Sequence, residues 1–172
     1  MEPVSFAMLA AALRLGSDTS EQALIESYIA AAREWVEDYT GHIVKQREVT
    51  DRFDSFGARL PLLKRPVVEV VSVDFLTRAG AELSYIDFEE RLTGLAPYLS
   101  PSLAGWPPDV RPGSISVTYL AGYEPLEVPA RMIQAILLLA AEYYRNRSAG
   151  ALSRDAEDAV MAMLRSFRAQ LV

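Results

Sequence analysis

Residues 128–147 read VPARMIQAILLLAAEYYRNR, and the shape of the chain turns on how this stretch is read. Between Arg131 and Glu142 the only polar side chain is Gln134. At helical spacing Met132, Ile133, Ile136, Leu137, Ala140 and Tyr144 fill one face, while Leu138 and Leu139 spill onto the other. A helix that is apolar nearly all round requires cover nearly all round. The apolar run falls short of the ~20 residues that cross a bilayer. The stretch therefore predicts a core helix, entered through Pro129 at its first turn. Its exit, residues 143–147, is aromatic and cationic.

Working outward, a last helix is expected from Ser153, with Asp155 in its first turn. Its apolar stripe is Ala156, Val160, Met163, Leu164, Phe167 and Leu171, and Arg165 and Arg168 fall in its last turns, where cations are favoured. At the other end of the chain residues 4–13 suit a short helix, stopped by Gly16 and the polar residues 17–20. Thr19 with Gln22 reads as a capping box opening the next helix. There Ile25, Tyr28, Ile29, Ala32, Trp35, Val36 and Tyr39 recur at three- and four-residue steps up to Gly41, a suitable left-handed cap. Glu37 and Asp38 oppose the dipole at that end and are expected to be exposed acids. A partner's arginine is the alternative reason for them.

The middle of the chain changes period. Residues 42–56 suggest an edge strand, with Val44, Val49 and Phe53 set among charges. Pro66 opens a run in which valines 67, 68, 70, 71 and 73 are too dense for a helix and occupy both faces of a strand. A turn around Gly80 and a strand over residues 83–88 complete a hairpin. Residues 93–113 hold five prolines and three glycines, with Leu95, Tyr98, Leu103 and Trp106 more apolar than a linker needs. Two readings stand for them: a connection packed back on its own sheet, or an arm protruding towards another subunit. Residues 114–120 alternate cleanly, placing Ile115, Val117 and Tyr119 on one face.

The expected fold is α+β: N-terminal and two C-terminal helices packed as a small bundle, with an inserted small antiparallel β-sheet carrying the long Pro-rich loop. It forms a single domain over residues 1–172, with a helical core at 1–41 and 128–172 and a β-rich insertion at 42–127.

Composition narrows the function. The 172 residues contain no cysteine and one histidine, which excludes thiolate chemistry and a multi-histidine metal site within one chain. His42, just past a helix end, reads as a surface residue or a helix C-terminal cation. Asp87, Glu89 and Glu90 read as solvent-facing acids, spaced like neither a glycosidase pair nor a calcium loop. No glycine loop suits a phosphate. The N-terminus lacks a basic n-region, so no secretory signal is expected. No catalytic, cofactor-binding or metal residue is assigned.

The net charge of −6 is uneven: −5 over residues 1–40, −3 over 41–130 and +2 over 131–172. Opposite-signed ends suit head-to-tail contacts between copies. The acidic total argues against a protein that grips nucleic acid. A small nucleic-acid-binding helical regulator is the alternative class, yet residues 20–40 carry five acids and one arginine. An enzyme using Asp87 or Glu89 is a third class.

Four segments in this order resemble a known family: YTG at 39–41, LPLLKRPVVEVVSV at 60–73, ISVTYLAGY at 115–123 and VP…IQAILLLAAEYYRNR at 128–147. They resemble the head–tail connector, or adaptor, family of tailed bacteriophages and gene transfer agents. The resemblance implies a structural virion protein, found at the head–tail junction and in the host cytoplasm during assembly. It implies a homo-oligomeric ring, usually dodecameric, docked on the portal protein. Such a ring extends the DNA channel, through which genomic DNA passes without sequence-specific binding, and offers a platform for a head-completion (stopper) or tail protein. No membrane and no cofactor are implied. Candidate subunit or portal contacts are Tyr143, Arg145, Arg147, Arg154, Arg165 and Arg168 on the basic side, Glu34, Glu37 and Asp38 on the acidic side, and Tyr98 and Trp106 from the loop.

Overall fold

Apolar spacing of 3.6 residues at both ends of the chain and of two residues in its middle produces two kinds of structure. A computed structural model describes residues 2–16, 19–94, 96–147 and 152–168. The chain divides into two compact units, Met1–Lys45 with Tyr123–Val172, and Gln46–Gly122. The class is α+β, as expected.

The helical unit contains α1 (Phe6–Leu13), α2 (Gln22–Thr40), α3 (Ala130–Arg145) and α4 (Arg154–Leu164), the last followed by a 3-10 turn at Arg165–Phe167. Ser5 caps α1 by accepting from the Met8 N–H, and Ser153 caps α4 by accepting from Ala156. The capping box expected at Thr19 and Gln22 does not form. Glu21 occupies the N-cap position with no side-chain cap, and the Gln22 amide donates along the helix to Glu26 at 2.8 Å. A turn explains this: the Thr19 carbonyl accepts from the Gln22 N–H, so the helix begins later than the capping box requires. Gly41 closes α2 in the left-handed conformation, φ 71°, with its N–H on the Glu37 carbonyl.

The core of this unit joins Ile25, Ile29, Ala32 and Val36 of α2 to Met132, Ala135, Ile136, Leu139 and Ala140 of α3 and to Val160 and Leu164 of α4. Each buried aliphatic side chain stabilises the fold by about 1.5–3 kcal/mol. The face of α3 is rotated from the one its hydropathy suggests. Leu139 is fully buried, whereas Leu138 is 41% exposed and Ile133 and Leu137 are half-buried. Ala135 is the reason: a small buried residue carries little hydropathy but permits close helix approach. α1, α2 and α4 all pack on α3. One stripe, through Arg131, Gln134, Leu138 and Arg145, stays open, so the helix is covered on most sides but not all round. Arg165 and Arg168 lie in and after the 3-10 turn rather than in a continued helix. Leu171 lies outside the described residues, as does Leu95 of the loop.

The β unit is two antiparallel sheets where one was expected. β1 (Arg47–Phe53), β3 (Val67–Leu76), β4 (Glu82–Ser84) and β7 (Ile115–Ala121) form a sheet of order β1-β7-β3-β4. β2 (Leu60–Pro61), β5 (Phe88–Arg91) and β6 (Tyr98–Pro101) form a second, of order β2-β6-β5. β7 is central in the first and buries Ile115, Val117, Tyr119 and Ala121 in strict alternation. β1 lies at the edge, as its mixed charges suggested. The valine run of β3 has a specific shape. The register with β7 shifts between Val67 and Glu69 and again between Val70 and Ser72, and the intervening Val68 and Val71 are left 46% and 52% exposed. The hairpin at Gly80 forms, but β4 stops at Ser84 and Phe88 opens β5 in the other sheet.

The Pro-rich segment packs back on the β unit. Tyr98–Pro101 is a strand with Leu99 fully buried, and Trp106 stacks on Phe56 at 4.6 Å while its indole N–H donates to the Gly57 carbonyl at 2.7 Å. Phe75 and Tyr85 complete that aromatic cluster. Over Tyr98–Trp106 the segment follows the reading of a connection packed back on its own unit. Leu103, in the turn after β6, is fully exposed.

Candidate assembly surfaces

Two polar clamps, one at each end of α2, decide which charges remain for other molecules. The first lies where α2 ends. Gly41 turns the chain so that residues 44 and 45 run back past the last helical turn. Glu37 Oε1 accepts from the Val44 N–H at 2.8 Å and from the Lys45 N–H at 3.4 Å. Its Oε2 accepts from Arg33 at 3.1 Å, and Arg33 also donates to Glu2 at 3.1 Å. Glu37 is 2% exposed. The expectation of an exposed acid is therefore corrected, since these bonds and the Arg33 charge offset both desolvation and the unfavourable dipole. The Arg33–Glu37 spacing of four residues was the sequence signal that pointed here.

The second clamp lies where α2 begins and α3 ends. The Tyr144 hydroxyl donates to Glu21 Oε2, and Arg147 donates to Glu21 Oε1 at 2.7 Å with its guanidinium over the Tyr144 ring. The Glu21 hydrogen bond is also the main cause holding the Arg147 guanidinium pKa above its ordinary value. Tyr143 is half-buried against Tyr28, ring centroids 6.2 Å apart. Burial first, and the Glu157 charge second, push its phenol up. Glu142 receives hydrogen bonds from Ser153 and Asn146, which hold its carboxyl below the usual range.

His42 is neither a bare surface residue nor a simple C-terminal cation. It is half-buried, its Nδ1 shares a 2.7 Å hydrogen bond with the Tyr123 hydroxyl, the two rings stack, and Phe167 meets it edge-on. Arg168 lies over the Tyr39 ring, 5.4 Å from its centroid. Among the sequence candidates, Glu34, Asp38, Arg145, Arg147, Arg154, Arg165 and Arg168 are exposed in this unit, Arg147 and Arg168 while making the contacts above. Glu34 makes only a 3.6 Å contact with Arg33.

In the β unit, Tyr98 is half-buried and held by Arg59 over its ring at 4.3 Å and by Arg91, which donates to its hydroxyl at 3.3 Å. Sequence reasoning missed a buried relay there. Tyr119 donates to Asp51 at 2.7 Å and accepts from the Lys64 N–H, while Asp51 accepts from the Leu63 N–H. Burial, then the Asp51 carboxylate, drive the Tyr119 phenol far above its ordinary value. Asp87 and Glu89 are exposed, and Asp87 accepts from Ser102 at 2.6 Å. Among the described residues no cluster of three or more histidine, cysteine or acidic side chains is placed to hold a metal ion. None of their helices is long and apolar enough to cross a membrane.

Known proteins of one kind are similar to this chain. The family model described as phage gp6-like head-tail connector protein matches residues 9–85. The chain is similar, at 25% identity and a TM-score of 0.82, to a chain in the neck of an empty gene transfer agent particle computed with C6 symmetry, covering 99% of this chain and 91% of that one. It is similar, at 25% identity and a TM-score of 0.76, to a chain in the neck of the native particle computed with C12 symmetry, covering 95% of this chain and 89% of that one. A chain of the native gene transfer agent virion matches at 25% identity and a TM-score of 0.79, over 99% of this chain and 91% of its own length. No curated protein matches the sequence. The resemblance read from the four sequence segments is borne out by the match to the head-tail connector model and by the similarity to the gene transfer agent chains.

Proposed function

We propose that this chain is a structural neck protein that forms a homo-oligomeric ring, docks on the portal, extends the DNA channel and presents a platform to a head-completion or tail protein. The observation that carries the reading is the similarity over almost the whole chain to neck chains solved with sixfold and twelvefold symmetry. The two units act as one domain, with the β unit carried as an insertion between α2 and α3. Twelve copies are the expected number, and the ring sits at the head–tail junction of the virion after assembly in the host cytoplasm. The acidic total suits a channel through which DNA slides without phosphate ligands. The exposed Arg154 and Arg165 of the C-terminal segment are the candidate portal contacts. The function requires packed interfaces rather than a reaction, and genomic DNA is a passenger rather than a ligand.

Deleting the gene in its host and purifying the particles tests this. Filled or empty heads without tails are the expected product, restored by the gene in trans. Normal tailed particles from the deletion strain overturn the proposal.

A further inference from the structure

The two long helices each leave one stripe uncovered, and the stripes carry opposite charge. On α2 the open stripe runs from Leu24, 38% exposed, to Glu34 and Asp38. Only the small Ser27 and Ala31 lie between, so another helix can approach closely. On α3 the stripe has Leu138 at its centre, with Arg131 and Arg145 about two turns away on either side. α2 and α3 bury their opposite faces against each other, Ile25, Ile29 and Val36 meeting Met132, Ile136 and Leu139 in one core. The open stripes therefore face away from each other across the helix pair. One unlike patch on each side of a subunit is the arrangement that propagates around an axis, whereas a single self-complementary patch closes a dimer.

We infer that the α2 stripe of one copy seats on the α3 stripe of the next, with Leu24 beside Leu138 and the Glu34–Asp38 end against whichever of the two flanking arginines, Arg131 or Arg145, lies on that side. The inference rests on the ring reading above and names the surfaces that close it. The choice of a second copy as occupant comes from charge complementarity. Asp38 and Arg131 have no side-chain partner among the described residues, and Glu34 has only its sequence neighbour. It also moves the contact. Arg147 and Glu37, expected at the interface, are engaged within the helical unit, and Arg131, Leu24 and Leu138 replace them.

A charge swap tests it. One variant, E34R/D38R, has two basic stripes; the other, R131E/R145E, has two acidic ones. Both are checked by circular dichroism and thermal melting, and E89R/E90R serves as a control of equal charge change on β5. Assembly is read by native mass spectrometry and by incorporation into particles from a host lacking its own copy. Each swapped variant alone is expected to lose ring species, through self-association weakened roughly 100-fold by like charges. An equimolar mixture is expected to recover them as alternating rings, which an even copy number allows. The control assembles as wild type. Rings from either swapped variant alone, or folded variants whose mixture forms none, overturn the inference. A wild-type protein that forms no ring in either setting overturns the ring reading itself.

Discussion

Replacing Glu37 by alanine separates two opposite expectations for one acid. As an exposed acid in the last turn of α2, it opposes the helix dipole, and its removal stabilises the protein by about 0.3–1 kcal/mol. The structure reverses the sign. The substitution strands the N–H of Val44, a residue 1% exposed, by removing a charge-assisted bond of 2.8 Å, at a cost of about 1.5–3 kcal/mol. It also removes one of the three carboxylates paired with Arg33, for about 0.5–1 kcal/mol more, since Glu2 and Glu34 remain. Less the dipole relief, the loss is about 2–3 kcal/mol. At about 2–4 °C per kcal/mol for a chain of this size, Tm falls by about 5–10 °C. The chain carries two tryptophans, one in each unit, so fluorescence can be assigned. In a Trp106→Phe background, Trp35, two residues from Glu37 and stacked on Tyr39, reports the helical unit during denaturant titration. An unchanged or raised midpoint would refute the clamp.

The phase of α3 is tested by neighbours: Leu139→Ala is expected to cost about 2–5 kcal/mol and Leu138→Ala under about 0.5 kcal/mol, measured by urea denaturation of the isolated chain. Comparable losses at both sites contradict the rotated face. In the β unit, Tyr119→Phe leaves the Lys64 N–H and the Asp51 carboxylate each short of a partner, for about 1–3 kcal/mol, read from Trp106 in a Trp35→Phe background. A neutral outcome removes the relay from the account. Glu142 supplies a pH test. Its folded pKa is depressed, so its contribution is complete above the ordinary glutamate value of about 4.5 and fades as pH falls through the lower folded value. Melting of Glu142→Gln and wild type should therefore differ at neutral pH and converge on acidification; a gap that persists or widens in acid contradicts this.

Hydropathy period made the element order legible, because long amphipathic helices and an alternating strand such as residues 115–121 write their faces directly into sequence. What stayed hidden depended on pairings distant in the chain. The bulges that leave Val68 and Val71 exposed arise only against β7, and a dense valine run looks the same without them. The separate sheet of β2, β5 and β6 is built from strands of two to four residues, too short for a period. For the surfaces, the sign of the charge at each end was readable, but its destination was not. An acid such as Glu21 suits a helix start, yet nothing local reveals that Tyr144 and Arg147 close on it. Arg131 was passed over because a lone arginine at a helix entry looks like ordinary solvation, and only the packing of α1, α2 and α4 shows which stripe they leave open.

The central claim, a ring at the head–tail junction, is met most directly by a reconstruction of the particle neck without imposed symmetry, in particles whose copy of this chain carries a small inserted label at Gly80 in the exposed β3–β4 turn. The account predicts twelve labels in one closed layer directly beneath the portal. No label in the particle, or labels in a layer that does not touch the portal, would contradict it.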